Sequence, residues 1–143
     1  KCITYFDNAI ELEQDPIKKA DYNYSAAAVC FSNKQLSKAK QYARKSIELN
    51  GENGKPYMLI AQMYASSPNW SDEAALNKCV FFAVIDKLQK AKSVDPSCAE
   101  EADKLIRTYA GYTPKDEDLF FIGIKKGNTV TIGGWIGETT TVR

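Results

Sequence analysis

A chain that moves protons or grips a metal usually carries histidine, and this one has none. Its four cysteines, Cys2, Cys30, Cys79 and Cys98, are scattered without a C-x-x-C pair. Neither a zinc site nor a Cys-His nucleophile therefore has its usual parts, and the commonest general base is missing. No G-x-S-x-G, no glycine-rich phosphate loop and no H-E-x-x-H occurs. Asp116, Glu117 and Asp118 make a short acidic run, but adjacent carboxylates in a loop read as solvated surface. The expectation is a protein that is not an enzyme and needs no cofactor or metal, with its thiols buried as structural groups.

The basic residues give a similar answer. Lys34, Lys38 and Lys45 fall near one face of a helix, with Lys40 and Arg44 beside them. That is the solvated side of an amphipathic helix before it is a patch for phosphate or an acidic partner. Nineteen basic residues against eighteen acidic leave a formal charge of +1, so nothing pulls the whole chain toward nucleic acid or anionic lipid. No arginine–aromatic interleaving points to RNA, and no apolar run is long enough for a membrane span. With 143 residues, 44% of them hydrophobic, the chain can bury the core of one domain. It opens on Lys1-Cys2 inside what reads as a helix, without an initiator Met or a signal peptide, so the expectation is a longer upstream sequence.

What positions these residues is a recurring phrase. "AIELEQDP" (9–16), "SIELNGEN" (46–53) and "AKSVDPS" (91–97) each end a helix after a small residue: Ala9, Ser46 and Ala91. These markers lie 37 and 45 residues apart, and both gaps reduce to about 34, a helix–turn–helix period, when three and eleven residues are set aside as insertions. The middle unit, 20–53, needs no adjustment. Ala26, Ala27 and Cys30 form one stripe, "SNKQLSK" makes the turn, and Leu36, Ala39, Ala43, Ser46 and Ile47 form the second stripe. Small side chains at Ala27, Ala39 and Ser46 let two helices approach to about 8 Å. An eleven-residue insertion adds about three whole turns, so 71–95 reads as one lengthened helix. Its stripe is Leu76, Val80, Ala83, Val84, Leu88 and Ala91. Cys79, Phe82 and Ile85 make it apolar on a second side, which something must cover. "YASSPNW" (64–70) reads as an exposed turn with Trp70 folding back.

The pattern resembles the tetratricopeptide repeat family over roughly 1–110. Ala27, Ala39 and Ser46 stand at the small places, Tyr57, Ile60, Ala61 and Tyr64 in a first helix, and Ala91 and Pro96 at a closing corner. Cys2, Phe6 and Ala9 match a second helix of a first unit. Asn23 replaces a usual aromatic, Gly51 a closing proline and Val84 a usual alanine. The resemblance implies an all-α repeat superhelix, an α-α solenoid, over 1–112, including a capping helix after Pro96 that ends at Gly111. A C-terminal extension follows over 113–143. It also implies a non-catalytic scaffold that binds a protein or peptide along the first helices. By place in the repeat the groove would comprise Asp21, Tyr24, Ala28 and Phe31, then Lys55, Met58, Gln62 and Ala65. Tyr24 and Ala28 stand where the family's clamp for a terminal carboxylate needs Lys and Asn, so that ligand is not expected.

The last thirty residues alternate and are rich in β-branched and aromatic types. "KKGN" (125–128) between two such runs predicts a β-hairpin joining about 119–125 to about 129–136. A lone hairpin is marginal in water, so Phe120, Ile122, Ile132 or Trp135 must pack on the helices or on another chain. Gly133-Gly134-Trp135 and Glu138-Thr139-Thr140-Thr141 resemble the C-terminal ends of tetratricopeptide-repeat proteins from Bacteroidetes. That resemblance implies export, with a periplasmic place in a Gram-negative bacterium. It also opens an alternative function, a structural subunit of an envelope assembly that self-associates through the hairpin.

Overall fold

A computed structural model describes residues 2–67 and 69–143, with Cys2 through its backbone alone. The chain order is α1 (Cys2–Leu12), α2 (Pro16–Ser32), α3 (Leu36–Leu49), α4 (Lys55–Ala65), α5 (Ala74–Asn77), α6 (Val80–Val94), α7 (Ala99–Ala110), α8 (Asp116–Phe121), β1 (Thr129–Thr131) and β2 (Thr139–Thr141). A single 3₁₀ turn, Pro96–Cys98, leads into α7. Helices pack in succession: α1 on α2, α2 on α3, α3 on α4, α4 on α6 and α6 on α7.

The middle unit forms the expected pair of antiparallel helices. Ala26, Ala27, Ala39 and Ala43 are fully buried where α2 and α3 meet, so the backbones lie close. Ser46 is small and also functions as a donor. Its hydroxyl, near the end of α3, donates to the Ala20 carbonyl near the start of α2 at 2.8 Å. Asn23, the departure at an aromatic place, is buried and satisfied locally, its amide donating to the Lys19 carbonyl at 2.9 Å. Lys34 alone among non-glycine described residues takes positive φ, +61°, closing the turn between the two helices.

The repeated corner phrase ends one helix and also begins the next. Asp15 accepts from the Ile17 amide at 2.9 Å, with Pro16 opening α2. Asp95 does the same for the Ser97 amide at 3.1 Å, ahead of Pro96. An Asp-Pro pair suits this corner because the carboxylate caps free amides and proline needs none. Asp95 reaches further, accepting from the Gly54 amide at 2.9 Å, which fixes the start of α4 against the end of α6.

Two expectations are corrected. The segment 71–95 is not one helix, because Lys78 and Cys79 interrupt it between α5 and α6. The Asn77 carbonyl accepts from the Trp70 indole at 3.2 Å and its side chain accepts from the Ser71 amide at 2.7 Å. These bonds draw the loop across the helix, and three-residue bonds (Phe81 to Lys78, Phe82 to Cys79) tighten the turn. Trp70 does fold back, half-buried, as read from the sequence. Pro68, placed in that turn, and the Cys2 side chain lie outside the described residues.

The hairpin exists, but its first strand is not 119–125. Residues 116–121 are helical, with Asp116, Glu117 and Asp118 in the first turn where the helix dipole favours them. Gly123 at φ +80° ends that helix, its amide bonding Phe120 and the Ile124 amide bonding Leu119, the glycine-closed terminus that only a residue without Cβ takes freely. "KKGN" is a turn, with Gly127 at φ +88°, but it connects α8 to β1. β1 pairs antiparallel with β2, Val130 opposite Thr140, across a loop at 132–138.

Ile132, Ile136 and Val142 are buried in one core with Leu119, Tyr64 and Leu88. This tail is the cover for the second apolar side of α6. Thr140 donates to Asp86 at 2.7 Å, Arg143 pairs with Asp86, and the Arg143 guanidinium stands 5.9 Å from the Phe82 ring. The segment 113–143 thus completes the helical core.

Candidate functional site

The residues expected to line a groove lie on α2 (Asp21, Tyr24, Ala28 and Phe31) and on α4 (Lys55, Met58, Gln62 and Ala65). Asp21, Lys55 and Gln62 are exposed, and Tyr24, Ala28, Phe31 and Ala65 are half-buried. Met58 is 7% exposed and belongs to the core, so it offers a ligand little surface. Burial first, then the Cys98 thiol and the Glu101 carboxylate, push the Tyr24 hydroxyl above its ordinary pKa.

Gln62 and Ala65 meet three rings that the repeat pattern did not assign to the groove. Phe81 stacks on Tyr109 with centroids 5.9 Å apart at 19°, and Tyr112 lies 5.4 Å from Phe81 and 6.2 Å from Tyr109. With Ser66 they border a shallow cavity of about 390 Å³. Tyr112 is 54% exposed, so the cluster presents ring surface to solvent. Of the residues expected in the groove only Gln62 and Ala65 border that cavity; Asp21, Tyr24, Ala28, Phe31, Lys55 and Met58 do not. Tyr109 carries the α7 stripe by its spacing, and nothing in the sequence placed Phe81 or Tyr112 against it; only the antiparallel crossing of α6 and α7 brings them together.

The basic residues of α3 and of the turn before it divide in two. Lys34, Lys38 and Lys45 are exposed, as a solvated face requires. Lys40 instead donates to the Ile136 carbonyl in the tail and lies 5.3 Å from the centre of the Tyr64 ring. Lys87 on α6 pairs with Glu138 at 2.7 Å. Trp135 packs on Tyr64 with centroids 5.5 Å apart, and its indole donates to Ser67 at 3.2 Å.

Cys30, Cys79 and Cys98 are free and buried. Burial alone pushes the Cys79 thiol up to about 11. Burial, then Asp95 as hydrogen-bond acceptor and negative charge, raises Cys98, and burial also raises Cys30. Thiols held protonated and out of water are poor nucleophiles.

Among the described residues no helix is long and apolar enough to cross a membrane. No family model matches the chain, and no solved structure matches it. Over 63 residues, 44% of this chain, it is 36% identical to a mitochondrial pentatricopeptide repeat-containing protein of Arabidopsis thaliana, of which the match spans 9%. The chain is thus a mainly helical protein with a C-terminal hairpin and a local similarity to a helical-repeat protein.

Proposed function

We propose that the chain is a short stack of tetratricopeptide-like helix pairs that binds a protein or peptide on the side of α2, α4 and α7, without catalysis. The observation that carries this is the ring cluster of Phe81, Tyr109 and Tyr112 open to solvent beside Gln62. Rigid aromatic surface next to a few polar groups is what peptide hot spots are made of. Tyr24 and Phe31 extend apolar area along α2, and Lys55 and Gln62 add polar selectivity. An exported setting is proposed on the resemblance of the tail alone.

The rival reading, assembly through the hairpin, has less to work with. Val130, Ile132 and Val142 already face the core, and each strand offers a three-residue edge made mostly of threonine. Deleting 119–143 would not separate the two readings, because it would strip Leu119, Ile132 and Ile136 from the core. A cleaner test selects binders from a random peptide display library on the intact protein. Enriched peptides should lose about tenfold or more in affinity with Tyr109→Ala or Tyr24→Ala while the thermal midpoint stays within a few degrees. No enrichment, or peptides indifferent to both variants, would refute the reading.

A further inference from the structure

The corner between α3 and α4 holds the only two asparagines of this chain that precede glycine, in Asn50-Gly51 and Asn53-Gly54. An asparagine amide is open to attack by the backbone nitrogen of the next residue, and glycine, without a Cβ, leaves that approach unhindered. The two steps start alike. The Asn50 side-chain oxygen accepts from the Glu52 amide at 3.3 Å, and the Asn53 oxygen from the Lys55 amide at 3.1 Å. Each side chain therefore curls forward over the glycine peptide that would attack it.

The attacking nitrogens differ. Gly51 is exposed just past the end of α3, and its amide donates to nothing among the described residues. It can give up its proton to solvent. Gly54 is buried, and its amide donates to the Asp95 carboxylate at 2.9 Å. That carboxyl is held down to about 2, first by the Ser97 hydroxyl and then by this amide, so it is an anion at neutral pH. A negative oxygen at hydrogen-bond distance keeps the proton on the Gly54 nitrogen and opposes the nitrogen anion that must form. Space divides the two steps in the same sense. A carbon added at Gly54 would press on the Ala91 carbonyl and the Cys98 sulfur, whereas one added at Gly51 would touch only the Ile47 carbonyl.

We propose that Asn50 is a site of spontaneous covalent modification, deamidating through a cyclic imide, and that the Asp95 corner shuts off the same reaction at Asn53. The Gly51 nitrogen loses its proton to solvent and attacks Asn50 Cγ. The Cγ–Nδ2 bond breaks, the leaving nitrogen takes up a proton, and ammonia departs as the ring closes. Water then adds to either ring carbonyl, opening it to aspartate or isoaspartate. Nothing is oxidised or reduced, and water is the one reactant from outside. Each conversion adds a negative charge just beyond α3, at the end where the helix dipole disfavours it.

The test incubates the intact chain at physiological temperature in mildly alkaline buffer. Peptide fragmentation mass spectrometry then maps each asparagine and separates aspartate from isoaspartate. Asn50 should convert at least about tenfold faster than Asn53 in the native protein, and the two rates should converge in urea, where both sites are unfolded. Gly51→Ala should slow Asn50 severalfold and leave Asn53 as it was. Asp95→Ala should speed Asn53 severalfold, while Ile132→Ala, which weakens the fold away from this corner, should not. Equal native rates overturn the proposal. So does an Asn50 that keeps its amide in the native chain while the urea-unfolded chain loses it. An Asn53 indifferent to Asp95→Ala, or released as much by Ile132→Ala, also overturns it, because the Asp95 corner is then not what protects that site.

Discussion

Gly54 tests the packing of the corner directly. A Cβ added there would stand 2.9 Å from the Ala91 carbonyl oxygen, 2.9 Å from Cys98 Sγ and 3.0 Å from Asp95 Cβ. Comfortable separations for such atoms are about 3.5–4.0 Å. The backbone itself would accept alanine, with φ −77° and ψ −15° in the right-handed region. On conformational entropy alone Gly54→Ala would stabilise by about 0.4–1 kcal/mol. Opposing that, the first turn of α4 must back away from the end of α6, and overpacking of this kind costs about 1–3 kcal/mol. Two of the three obstacles are a main-chain oxygen and a Cβ, which cannot swing aside. The steric cost wins, leaving the variant about 1–2 kcal/mol less stable, or about 3–7 °C lower in thermal midpoint for a chain of this size. Urea unfolding followed by circular dichroism measures it, with the midpoint shifted and the slope unchanged. Gly51→Ala is the control, since its Cβ would find only the Ile47 carbonyl at 3.6 Å; it should be neutral or slightly stabilising. A Gly54→Ala protein as stable as the parent would refute the close approach of α4 to the Asp95 corner.

Other outcomes follow from the same structure. Ile132→Ala, removing a fully buried side chain of the tail, should cost about 2–4 kcal/mol in urea unfolding; a loss under 1 kcal/mol would mean that the hairpin is not part of the core. Asp95 is held down to about 2, first by the Ser97 hydroxyl and then by the Gly54 amide. A carboxyl lowered on folding stabilises above its unfolded value and loses that contribution as pH falls from about 4 toward 2. The stability difference between parent and Asp95→Asn should therefore shrink over that window, and a pH-independent difference would contradict it. Cys30, Cys79 and Cys98 should resist a thiol reagent in the native protein at neutral pH and react on unfolding; rapid native labelling of any of the three would show that the site opens.

Much of the helical part was legible because small residues at a fixed spacing can do little else than bring helices together. Ala27, Ala39 and Ser46 gave the α2–α3 pair, and the Asp-Pro corners gave its neighbours. The tail misled for a physical reason. "DLFFIGI" alternates like a strand, but three acidic residues favour a helix start and Gly123 a helix end, and these local signals outweigh the alternation. The break at Lys78–Cys79 depends on Trp70 and Ser71 reaching Asn77, side-chain bonds that periodicity does not encode. At the candidate site, stripe positions such as Tyr24 and Gln62 could be read from the repeat. The meeting of Phe81 with Tyr109 and Tyr112 depends on how α6 and α7 cross, and the cluster around Glu138 joins residues nearly a hundred positions apart.

That last separation has a kinetic meaning. Helix pairs close over short loops, whereas the bond from Lys40 to the Ile136 carbonyl spans 96 positions, so its closure must await a slow search. Collapse of the helical hairpins should thus precede docking of the tail, which belongs to the late side of the barrier. Substitutions at Ile132 or Trp135 would then hasten unfolding and leave the refolding rate nearly untouched, making this small β element the clasp that sets the lifetime of the native state.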